Sequence, residues 1–259
     1  MPKPSPQSIL ITGASSGIGA ALAETHAGPG ARLALTGRDA NRLELVATRC
    51  RERGAEVQAR VVDVADRAAM TALFAELDAA RPLDLVYANA GIGPSTSEGS
   101  GRPSDEAVIR RIFAVNLDGV LNTVLPAIAP MKARRRGQIA IMSSLAAYTP
   151  LPAIAGYAAT KSAVKSFGEG LRTELRPHGI GVTVICPGYV RSRLTASGPS
   201  FQPFAMDSGQ AAALIKRRLA RDPTVIAFPW PLHALTWMIG ALPARVRQPL
   251  LGLAVPREW

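Results

Sequence analysis

Tyr157 and Lys161 are two residues whose types and spacing suit proton transfer. They stand four residues apart in a helical pattern, so both side chains are expected on one face, one turn apart. A free phenol has a pKa of about 10, and a neighbouring ammonium favours its ionised form. Such a pair can give a proton to a substrate oxygen or take one from it, although the same spacing also occurs in surface pairs without chemistry.

A glycine-rich stretch, TGASSGIG from Thr12 to Gly19, joins an apolar run to a segment with helical spacing. If the run is a buried strand, the glycines surround the N-terminus of the next helix. Unpaired N–H groups and the helix dipole favour an anion there, and glycine lets it approach the main chain closely. We therefore expect a phosphate group at this turn; a turn without a ligand is the alternative.

Strand and helix patterns alternate along most of the chain. Strands so apolar that neither face suits water, alternating with helices, are typical of a parallel sheet covered on both sides. The sequence therefore predicts an α/β fold of the Rossmann type, a doubly wound parallel sheet of about seven strands, in a single domain over residues 1–259. The predicted strands are 8–11, 31–36, 55–63, 83–91, 137–144, 181–188 and 225–228, and the main predicted helices are 18–26, 39–54, 66–80, 104–135 and 156–177.

Polar and glycine-rich stretches follow the predicted strands with a consistency that structural turns do not need. In open sheets of this kind, ligands bind beyond the carboxyl ends of the strands. This common location favours the phosphate interpretation of the first turn. The stretches are TGASSGIG, TGRD, DV, NAG, SS and PG.

The end of the second predicted strand reads LTGRD and bears on the choice of nucleotide. A carboxylate here accepts hydrogen bonds from the adenosine ribose of NAD, whereas an arginine accommodates the 2′-phosphate of NADP. Gly37 stands where the carboxylate would be and Arg38 follows, so we expect NADP(H) to be preferred over NAD(H). The alternative is that Arg38 caps the strand and pairs with Asp39. Asp63 and Val64, after the third strand, are candidates for contacting the adenine.

Six motifs in one order together resemble the classical short-chain dehydrogenase/reductases, and the match runs from about Ser8 to Ser192. The glycine spacing is not the TGxxGxxG of that family's epimerase-type branch, which argues against a sugar-nucleotide epimerase. The motifs are TGxxxGxG at Thr12–Gly19, NAG at Asn89–Gly91, VNLDG at Val115–Gly119, Ser144, YxxxK at Tyr157–Lys161 and PG at Pro187–Gly188.

The resemblance implies a catalytic tetrad of Asn116, Ser144, Tyr157 and Lys161. Tyr157 would act as acid or base at the substrate oxygen while hydride passes to or from a nicotinamide. Ser144 would hold that oxygen in line, with Ser143 as the alternative residue for this role. Lys161 would lower the pKa of Tyr157 and bind the nicotinamide ribose. Asn116 would anchor a water that relays protons to bulk solvent.

The resemblance also implies a set of cofactor contacts around the same strand ends. Ser192 is expected to hold the nicotinamide carboxamide, and Thr195 is the alternative. With the two adenine candidates, the expected cofactor-binding residues are Gly13, Ser15, Ser16, Gly17, Ile18, Gly19, Arg38, Asp63, Val64, Asn89, Ala90, Gly91, Tyr157, Lys161, Pro187, Gly188, Val190 and Ser192.

The loop from about 189 to 207 is where substrate choice is expected. Phe201, Phe204 and Met206 suggest a mobile lid with an apolar inner face, which favours an apolar carbonyl or secondary alcohol as the substrate. Packing of these side chains onto their own domain is the alternative. Arg191 and Arg193 keep recognition of an anionic substrate open.

The C-terminal extension, about 229–259, contains an apolar aromatic segment from Pro231 to Leu242. This segment is shorter than the roughly 20 residues that a membrane span needs. We expect it to cover the substrate cleft or to pack in the subunit interface of a homodimer or homotetramer. Contact with a membrane interface, anchored by Trp230, Trp237 and the nearby Arg245 and Arg247, is the alternative.

Composition restricts the remaining function classes. Lys and Arg outnumber Asp and Glu by 30 to 19, a net charge of +11, yet the basic run at Lys132–Gly137 lies where a helix C-terminus favours cations. No nucleic-acid partner is therefore expected. Cys50 and Cys186 are too few for a disulfide framework or a zinc site, and no metal is expected. The polar start, MPKPSPQ, is unlike a secretory signal, so the cytoplasm is the expected compartment.

Two functions from different classes remain. The first is an NADP(H)-dependent oxidoreductase that acts on a carbonyl or secondary alcohol, with Tyr157 as the acid or base. The alternative is a non-catalytic NADP(H)-binding redox sensor or interaction protein on the same fold. The presence of all four tetrad groups favours the enzyme, because a non-catalytic protein has no physical need for them.

Overall fold

A seven-stranded parallel sheet organises the chain in the computed structural model, which describes residues 7–93, 105–192 and 202–253. Its strand order is β3-β2-β1-β4-β5-β6-β9, and a second, two-stranded parallel pair, β7-β8, was not predicted. The predicted fold, a doubly wound parallel sheet of about seven strands, is confirmed. The strands are β1 Ser8–Ile11, β2 Arg32–Gly37, β3 Glu56–Val61, β4 Leu85–Ala88, β5 Gly137–Met142, β6 Ile180–Pro187, β7 Val190–Arg191, β8 Met206–Asp207 and β9 Val225–Phe228.

Helices cover both faces of this sheet. Two of them begin at aspartate N-caps, since Asp39 accepts a hydrogen bond from the Arg42 N–H at 2.9 Å and Asp66 one from the Ala69 N–H at 3.0 Å. Within the described ranges, the helices are α1 Gly17–His26, α2 Ala40–Glu52, α3 Arg67–Ala80, α4 Glu106–Phe113, α5 Gly119–Arg134, α6 Ala155–Leu175, α7 Ser208–Leu219, α8 Trp230–Ala241 and α9 Ala244–Leu253.

Two apolar layers, one on each face of the sheet, form the core. Leu22 of α1, Leu43 of α2 and Ile215 of α7 belong to one layer, and Val124 of α5 and Val164 of α6 belong to the other. Burying each large aliphatic side chain contributes about 1.5–3 kcal/mol, which makes these layers the main source of stability. The core therefore holds the strand ends in fixed positions.

Strand β3 is an exception to the expectation that both faces of every strand are buried. Its residues are half-buried or exposed, including Gln58 and Arg60, because β3 is the edge of the sheet and pairs only with β2. The central strands β1, β4, β5 and β6 are buried along their whole length. Pairing on both sides, rather than the sequence pattern alone, accounts for this difference.

The predicted helix over 104–135 is not continuous. A π-helical turn, Ala114–Asp118, separates α4 from α5, and Asn116 lies within it. The run from Glu106 to Arg134 is long and apolar enough to cross a membrane. Ile112, Val124 and Met131 are nevertheless buried inside the protein, so this run is a core helix pair.

The basic residues at the end of α5 form ion pairs and hydrogen bonds with neighbouring groups. Arg134 pairs with Asp78 at 2.9 Å and donates to the Leu83 carbonyl at 2.7 Å, and Lys132 pairs with Glu174 at 3.1 Å. Arg136 forms an ion pair with Asp84. These contacts attach the C-terminus of α5 to adjacent elements and give the run a structural role.

Candidate active site

A cavity of about 820 Å³ opens at the carboxyl ends of the central strands, where the strand order reverses between β1 and β4. This is the ligand position expected for an open parallel sheet. All the residues expected to bind a cofactor line this cavity. Ser144, Tyr157 and Lys161 also line it, whereas Asn116 lies behind the wall.

The β1–α1 turn closes tightly at one wall of the cavity. A Cβ atom on Gly19 would lie 2.2 Å from the Gly13 carbonyl oxygen and 2.5 Å from Asn89 Nδ2, so only glycine permits this approach. Ser16 occupies the N-cap of α1, and no side-chain capping bond is recorded for this end of the helix in the described chain. The start of α1 therefore forms a cradle suited to an anion.

Thr12 joins the ends of β1 and β4 across the switch point. Its hydroxyl oxygen accepts hydrogen bonds from the N–H groups of Asn89 at 3.1 Å and Ala90 at 3.2 Å, and it donates to the Tyr87 carbonyl at 3.2 Å. Asn89 Nδ2 returns a hydrogen bond to the Thr12 carbonyl at 2.9 Å. This network fixes the NAG turn against the glycine turn.

Lys161 is buried beside Tyr157 on the first turns of α6. Its Nζ atom donates to the Met142 carbonyl at 3.0 Å and lies 5.6 Å from the centre of the Tyr157 ring. A Cβ on Gly91 would lie 3.3 Å from both Lys161 Nζ and Asn116 Oδ1, so Gly91 leaves room for these groups. Desolvation by burial lowers the pKa of Lys161 to about 8.

The pKa of Tyr157 differs from the expectation. Lys161 was expected to lower it, but desolvation raises the pKa of the phenol above its ordinary value and outweighs the lowering effect of a hydrogen bond with Ser144. The buried ammonium does not compensate in this state of the protein. Tyr157 is therefore a protonated phenol at neutral pH, ready to donate a proton.

The two neighbouring serines have different surroundings. Ser143 is buried and its hydroxyl donates to the Lys161 carbonyl at 2.7 Å, which joins β5 to α6. Ser144 Oγ accepts from the Ala146 N–H at 3.1 Å, lies 3.5 Å from the Pro187 carbonyl oxygen and is close enough to Tyr157 to lower the pKa of its phenol. This geometry favours Ser144 as the residue that meets a substrate oxygen, with Ser143 as its structural support.

Asn116 uses its side chain to hold the backbone after the NAG turn. Its Oδ1 accepts from the Ile92 N–H at 2.8 Å, and its Nδ2 donates to the Ile92 carbonyl at 2.9 Å. The side chain is fully buried, and the π-helical turn supplies this inward position. Asn116 thus aligns the strand end beside Lys161, and its expected role in holding a water stays a prediction.

Two polar residues at the β2 end of the cavity were missed by the sequence analysis. The Thr36 hydroxyl oxygen and Arg42 Nε are buried without a hydrogen-bond partner among the described residues, and both residues line the cavity. Arg42 also pairs with Asp39 at 2.8 Å, and whether Asp39 additionally pairs with Arg38 stays the alternative for the binding measurements. Arg38, Asp39 and Arg42 therefore form one charged cluster beside Gly37.

Asp63, the expected adenine contact, is bound to the opposite helix. Arg111 of α4 pairs with its carboxylate at 2.6 Å, and the Ala65 N–H donates to it at 3.0 Å. Burial raises the pKa of Asp63, but these hydrogen bonds and the positive charges of Arg111 and Arg38 outweigh it, so the net pKa is lowered. An ionised Asp63 and the neighbouring Val64 both line the cavity.

The substrate loop is described only at its two ends. Val190–Arg191 pairs with Met206–Asp207 as β7 and β8, and Arg191 forms an ion pair with Asp207 at 2.8 Å. Phe204 was expected on the apolar inner face of a lid, but its side chain is 60% exposed in this structure. Ser192 lies beside Gly17, whereas Arg193, Thr195 and Phe201 lie outside the described residues.

Helix α8 packs one side against the Ser144 end of the site. His233 stacks edge-on against Tyr148 with ring centroids 4.8 Å apart, and Thr149 donates to the Thr236 carbonyl at 2.5 Å. Leu232 approaches Gly188 so closely that a Cβ there would lie 3.0 Å from it. The C-terminal extension therefore contacts the segments that carry Ser144 and Gly188, in agreement with packing near the cleft.

Comparison with known proteins places this geometry in a family. Residues 7–202 match the family described as short chain dehydrogenase. An uncharacterized oxidoreductase of Myxococcus xanthus is 36% identical over 96% of each chain. Galactitol 2-dehydrogenase (L-tagatose-forming) of Cereibacter sphaeroides is 36% identical over 71% of this chain and 72% of its own.

A solved structure shares the whole architecture. The short-chain dehydrogenase from Sphingobium yanoikuyae in complex with NADPH is 28% identical and superimposes with a TM-score of 0.78 over 97% of each chain. The match covers the sheet, the cavity and the C-terminal helices. This chain therefore belongs to the short-chain dehydrogenase family and is an oxidoreductase that uses a nicotinamide dinucleotide.

Proposed function

We propose that the protein is an NADP(H)-dependent oxidoreductase that interconverts an apolar carbonyl compound and its secondary alcohol. One observation carries this proposal: the same cavity has Ser144, Tyr157 and Lys161 at one end and Arg38 with Arg42 at the other. The first group suits proton transfer to a carbonyl oxygen. The second suits a phosphate on the adenosine ribose.

The residues of the cavity fit a dinucleotide with a 2′-phosphate. The Thr36 hydroxyl oxygen and Arg42 Nε are buried and have no hydrogen-bond partner among the described residues, whereas buried polar groups normally have one. The glycine cradle at the start of α1 suits the diphosphate. When bound, the cofactor donates or accepts the hydride.

The chain's own groups then handle the substrate oxygen. Tyr157 donates its phenolic proton to that oxygen in reduction and takes it back in oxidation. Ser144, which lines the cavity beside Tyr157, holds the oxygen in line. Lys161 fixes the wall beside Tyr157 through the Met142 carbonyl and presents its ammonium to the cavity.

Relatives support the reaction class and the cofactor. The matched structure from Sphingobium yanoikuyae binds NADPH, and the relative from Cereibacter sphaeroides is named for galactitol as substrate and L-tagatose as product. An alcohol and its carbonyl counterpart are thus the compounds to test here. Phe204 and Met206 in the loop favour an apolar member of this class. Arg191 makes a substrate with an anionic group a second kind of compound to test.

We also propose that the active unit is a homodimer or homotetramer in the cytoplasm. Phe113 and Leu125, on α4 and α5, are 38% and 51% exposed, and apolar groups of this size suit a subunit contact. Light scattering coupled to size-exclusion chromatography tests the assembly. A monomer at micromolar concentration would contradict it.

Turnover and binding measurements test the proposed function together. NADPH absorbance is followed with purified protein across aldehydes, ketosteroids, quinones, ketoesters and retinoid-like carbonyls, for the wild type and Tyr157→Phe. We expect turnover with at least one apolar carbonyl, loss of it in Tyr157→Phe, and NADPH binding within a few-fold of the wild type. Calorimetric titration is expected to give tighter binding of NADPH than of NADH.

Two outcomes would change the proposal. Equal affinities for NADPH and NADH would remove the assigned cofactor preference. Tight NADPH binding with no turnover on any carbonyl would favour the alternative function, a redox sensor or interaction protein that binds the cofactor without reducing a substrate.

A further inference from the structure

The C-terminal helix pair, α8 with α9 (residues 230–253), exposes an apolar surface that the proposed oxidoreductase reaction does not use. One side of α8 packs on Tyr148 and Thr149, and a Cβ on Gly240 would lie 1.9 Å from the Tyr148 carbonyl oxygen. Arg247 attaches α9 to α8 through the Gly240 carbonyl at 2.8 Å. The pair is therefore held firmly, with its other side turned outward.

The outward side of the pair carries large apolar residues. Helix α8 is apolar all round its circumference, and such helices are normally covered by protein or by lipid. Here one side has protein and the other has none in the described chain. The exposed fractions are 75% for Trp230, 49% for Leu235, 58% for Trp237, 54% for Met238, 45% for Val246 and 48% for Leu250.

The charges of this surface identify the partner. Residues 229–253 contain no Asp or Glu; Arg245 is exposed, whereas Arg247 is turned inward to the Gly240 carbonyl. An exposed cation on the same helix pair as exposed tryptophans complements the anionic headgroups of a phospholipid surface, where Trp favours the boundary between water and hydrocarbon. A second copy fits less well, because a two-fold contact would bring the same arginine-bearing surfaces together without a carboxylate to meet them.

The length of α8 decides how it would meet lipid. Twelve residues of helix extend about 18 Å, less than the roughly 30 Å of a hydrocarbon core. An apolar helix of this length lies in the plane of the interface rather than across it. We propose that the outer side of the C-terminal helix pair docks on an anionic phospholipid surface, with Trp230 and Trp237 entering the interface and Arg245 facing the headgroups.

Vesicle binding of the full-length protein tests this proposal independently of catalysis. Sedimentation is measured with unilamellar vesicles of phosphatidylglycerol and phosphatidylcholine in equal parts, and with phosphatidylcholine alone. We expect at least tenfold tighter binding to the anionic vesicles, weaker binding at high salt, and a blue shift of tryptophan emission. Quenching of that emission by brominated lipid, measured with Trp259→Phe as the background because Trp259 also emits, would place the indole rings of Trp230 and Trp237 at the interface.

Variants separate the apolar and the charged contributions. Trp230→Ser with Trp237→Ser is expected to lower affinity for both kinds of vesicle at least tenfold, whereas Arg245→Glu lowers affinity roughly tenfold for the anionic vesicles only. Leu45→Ser is the matched control, since Leu45 is 60% exposed on α2, and its variant should bind vesicles like the wild type. Circular dichroism and NADPH binding report the folding of each variant.

Other results would contradict docking on a phospholipid surface. Equal binding to both vesicle types, or none to either, would overturn the proposal. A wild-type dimer that dissociates in the tryptophan variant, without vesicle binding, would assign the surface to a second copy instead. If the tryptophan variant fails to fold, brominated-lipid quenching of Trp259→Phe decides alone, and absence of quenching would overturn the proposal.

Discussion

Lys161 lies one helical turn after Tyr157, with its Nζ atom 5.6 Å from the centre of the tyrosine ring. Both groups are desolvated, and the consequences are opposite in sign. Desolvation disfavours the charged form of each group, so it raises the pKa of Tyr157 and lowers that of Lys161 to about 8. At neutral pH the pair is a neutral phenol beside an ammonium that is close to losing its proton.

The Lys161 pKa predicts a stability that rises in alkaline solution. Between about pH 8 and pH 10.5 the unfolded chain keeps this proton and the folded chain loses it, so the free energy of unfolding increases with pH. The gain is at most about 3 kcal/mol. Urea unfolding without cofactor at pH 7 and pH 10.5 measures it, and Lys161→Met should lack this component. An identical pH dependence in the two proteins would contradict the assignment.

Ser144→Ala and Ser143→Ala should affect different quantities. Because Ser144 lines the cavity beside Tyr157 and lowers the pKa of its phenol, its loss is expected to lower kcat on the order of 100-fold with little change in unfolding free energy. Ser143 joins β5 to α6, so its loss should cost about 1 kcal/mol of stability. Steady-state kinetics and urea unfolding separate the two. A larger fall in kcat for Ser143→Ala would reverse the roles.

Gly37→Asp should move cofactor preference towards NADH. The new carboxylate would stand beside Arg38 and repel a 2′-phosphate, while it could accept hydrogen bonds from a ribose. We expect the NADPH dissociation constant to rise at least tenfold relative to that of NADH. A Cβ at this position would lie 3.1 Å from Ser15, so Gly37→Ala is the control for crowding. Equal changes in both variants would leave no role for charge.

Arg42 and Asp39 should act on NADPH affinity as a coupled pair. Removing Arg42 leaves the Asp39 carboxylate without its 2.8 Å partner at the cavity wall. Arg42→Ala is therefore expected to weaken binding of 2′,5′-ADP at least tenfold and of 5′-AMP much less. Asp39→Asn added to Arg42→Ala should recover part of the loss.

Calorimetric titration measures this coupling, and Arg49→Ala on the same helix is its control. Arg49 pairs with Glu24 at 2.7 Å, and it is not among the residues that line the cavity. Its variant should bind both nucleotides like the wild type. Strictly additive effects of the Asp39 and Arg42 substitutions would show that the two residues act separately.

His26 predicts a loss of stability in acid. Its ring is buried 2.9 Å from the Tyr87 hydroxyl, and desolvation, assisted by the charge of Lys216, lowers its pKa to about 3. As pH falls below 6.5, the unfolded chain binds this proton and the folded chain does not, so the unfolding free energy decreases. The unfolding free energy obtained from urea titrations should fall more steeply between pH 7 and pH 4 for the wild type than for His26→Gln. Parallel curves would exclude His26 as the cause.

The sequence was sufficient for those elements whose signals are local. The glycine turn, the capping residue Asp39, the alternation of strands and helices, and the Tyr157–Lys161 spacing each follow from neighbouring residues. Strands buried on both sides read as continuous apolar runs, which is why β1 and β4–β6 were predicted close to their observed bounds. The edge position of β3 depends on pairing, which no local pattern states.

The missed features depend on contacts between distant residues. The π-helical turn around Asn116 lies inside a long helical pattern, and its reason is the pairing of Asn116 with the Ile92 backbone. Arg42 reads as an ordinary residue in the first turn of α2. Its position three residues after the cap Asp39 was the available signal that its side chain pairs with that carboxylate at the cavity wall.

The strand-order reversal between β1 and β4 divides the cavity into two parts that rest on different strands. The groups proposed to discriminate between nucleotides, Arg38 and Arg42, follow β2, and the groups proposed for substrate chemistry, Ser144 and Tyr157, follow β5. Because the two sets have separate supporting strands, a mutation in one set need not disturb the other. Cofactor choice and substrate choice can therefore diverge independently among descendants of this gene.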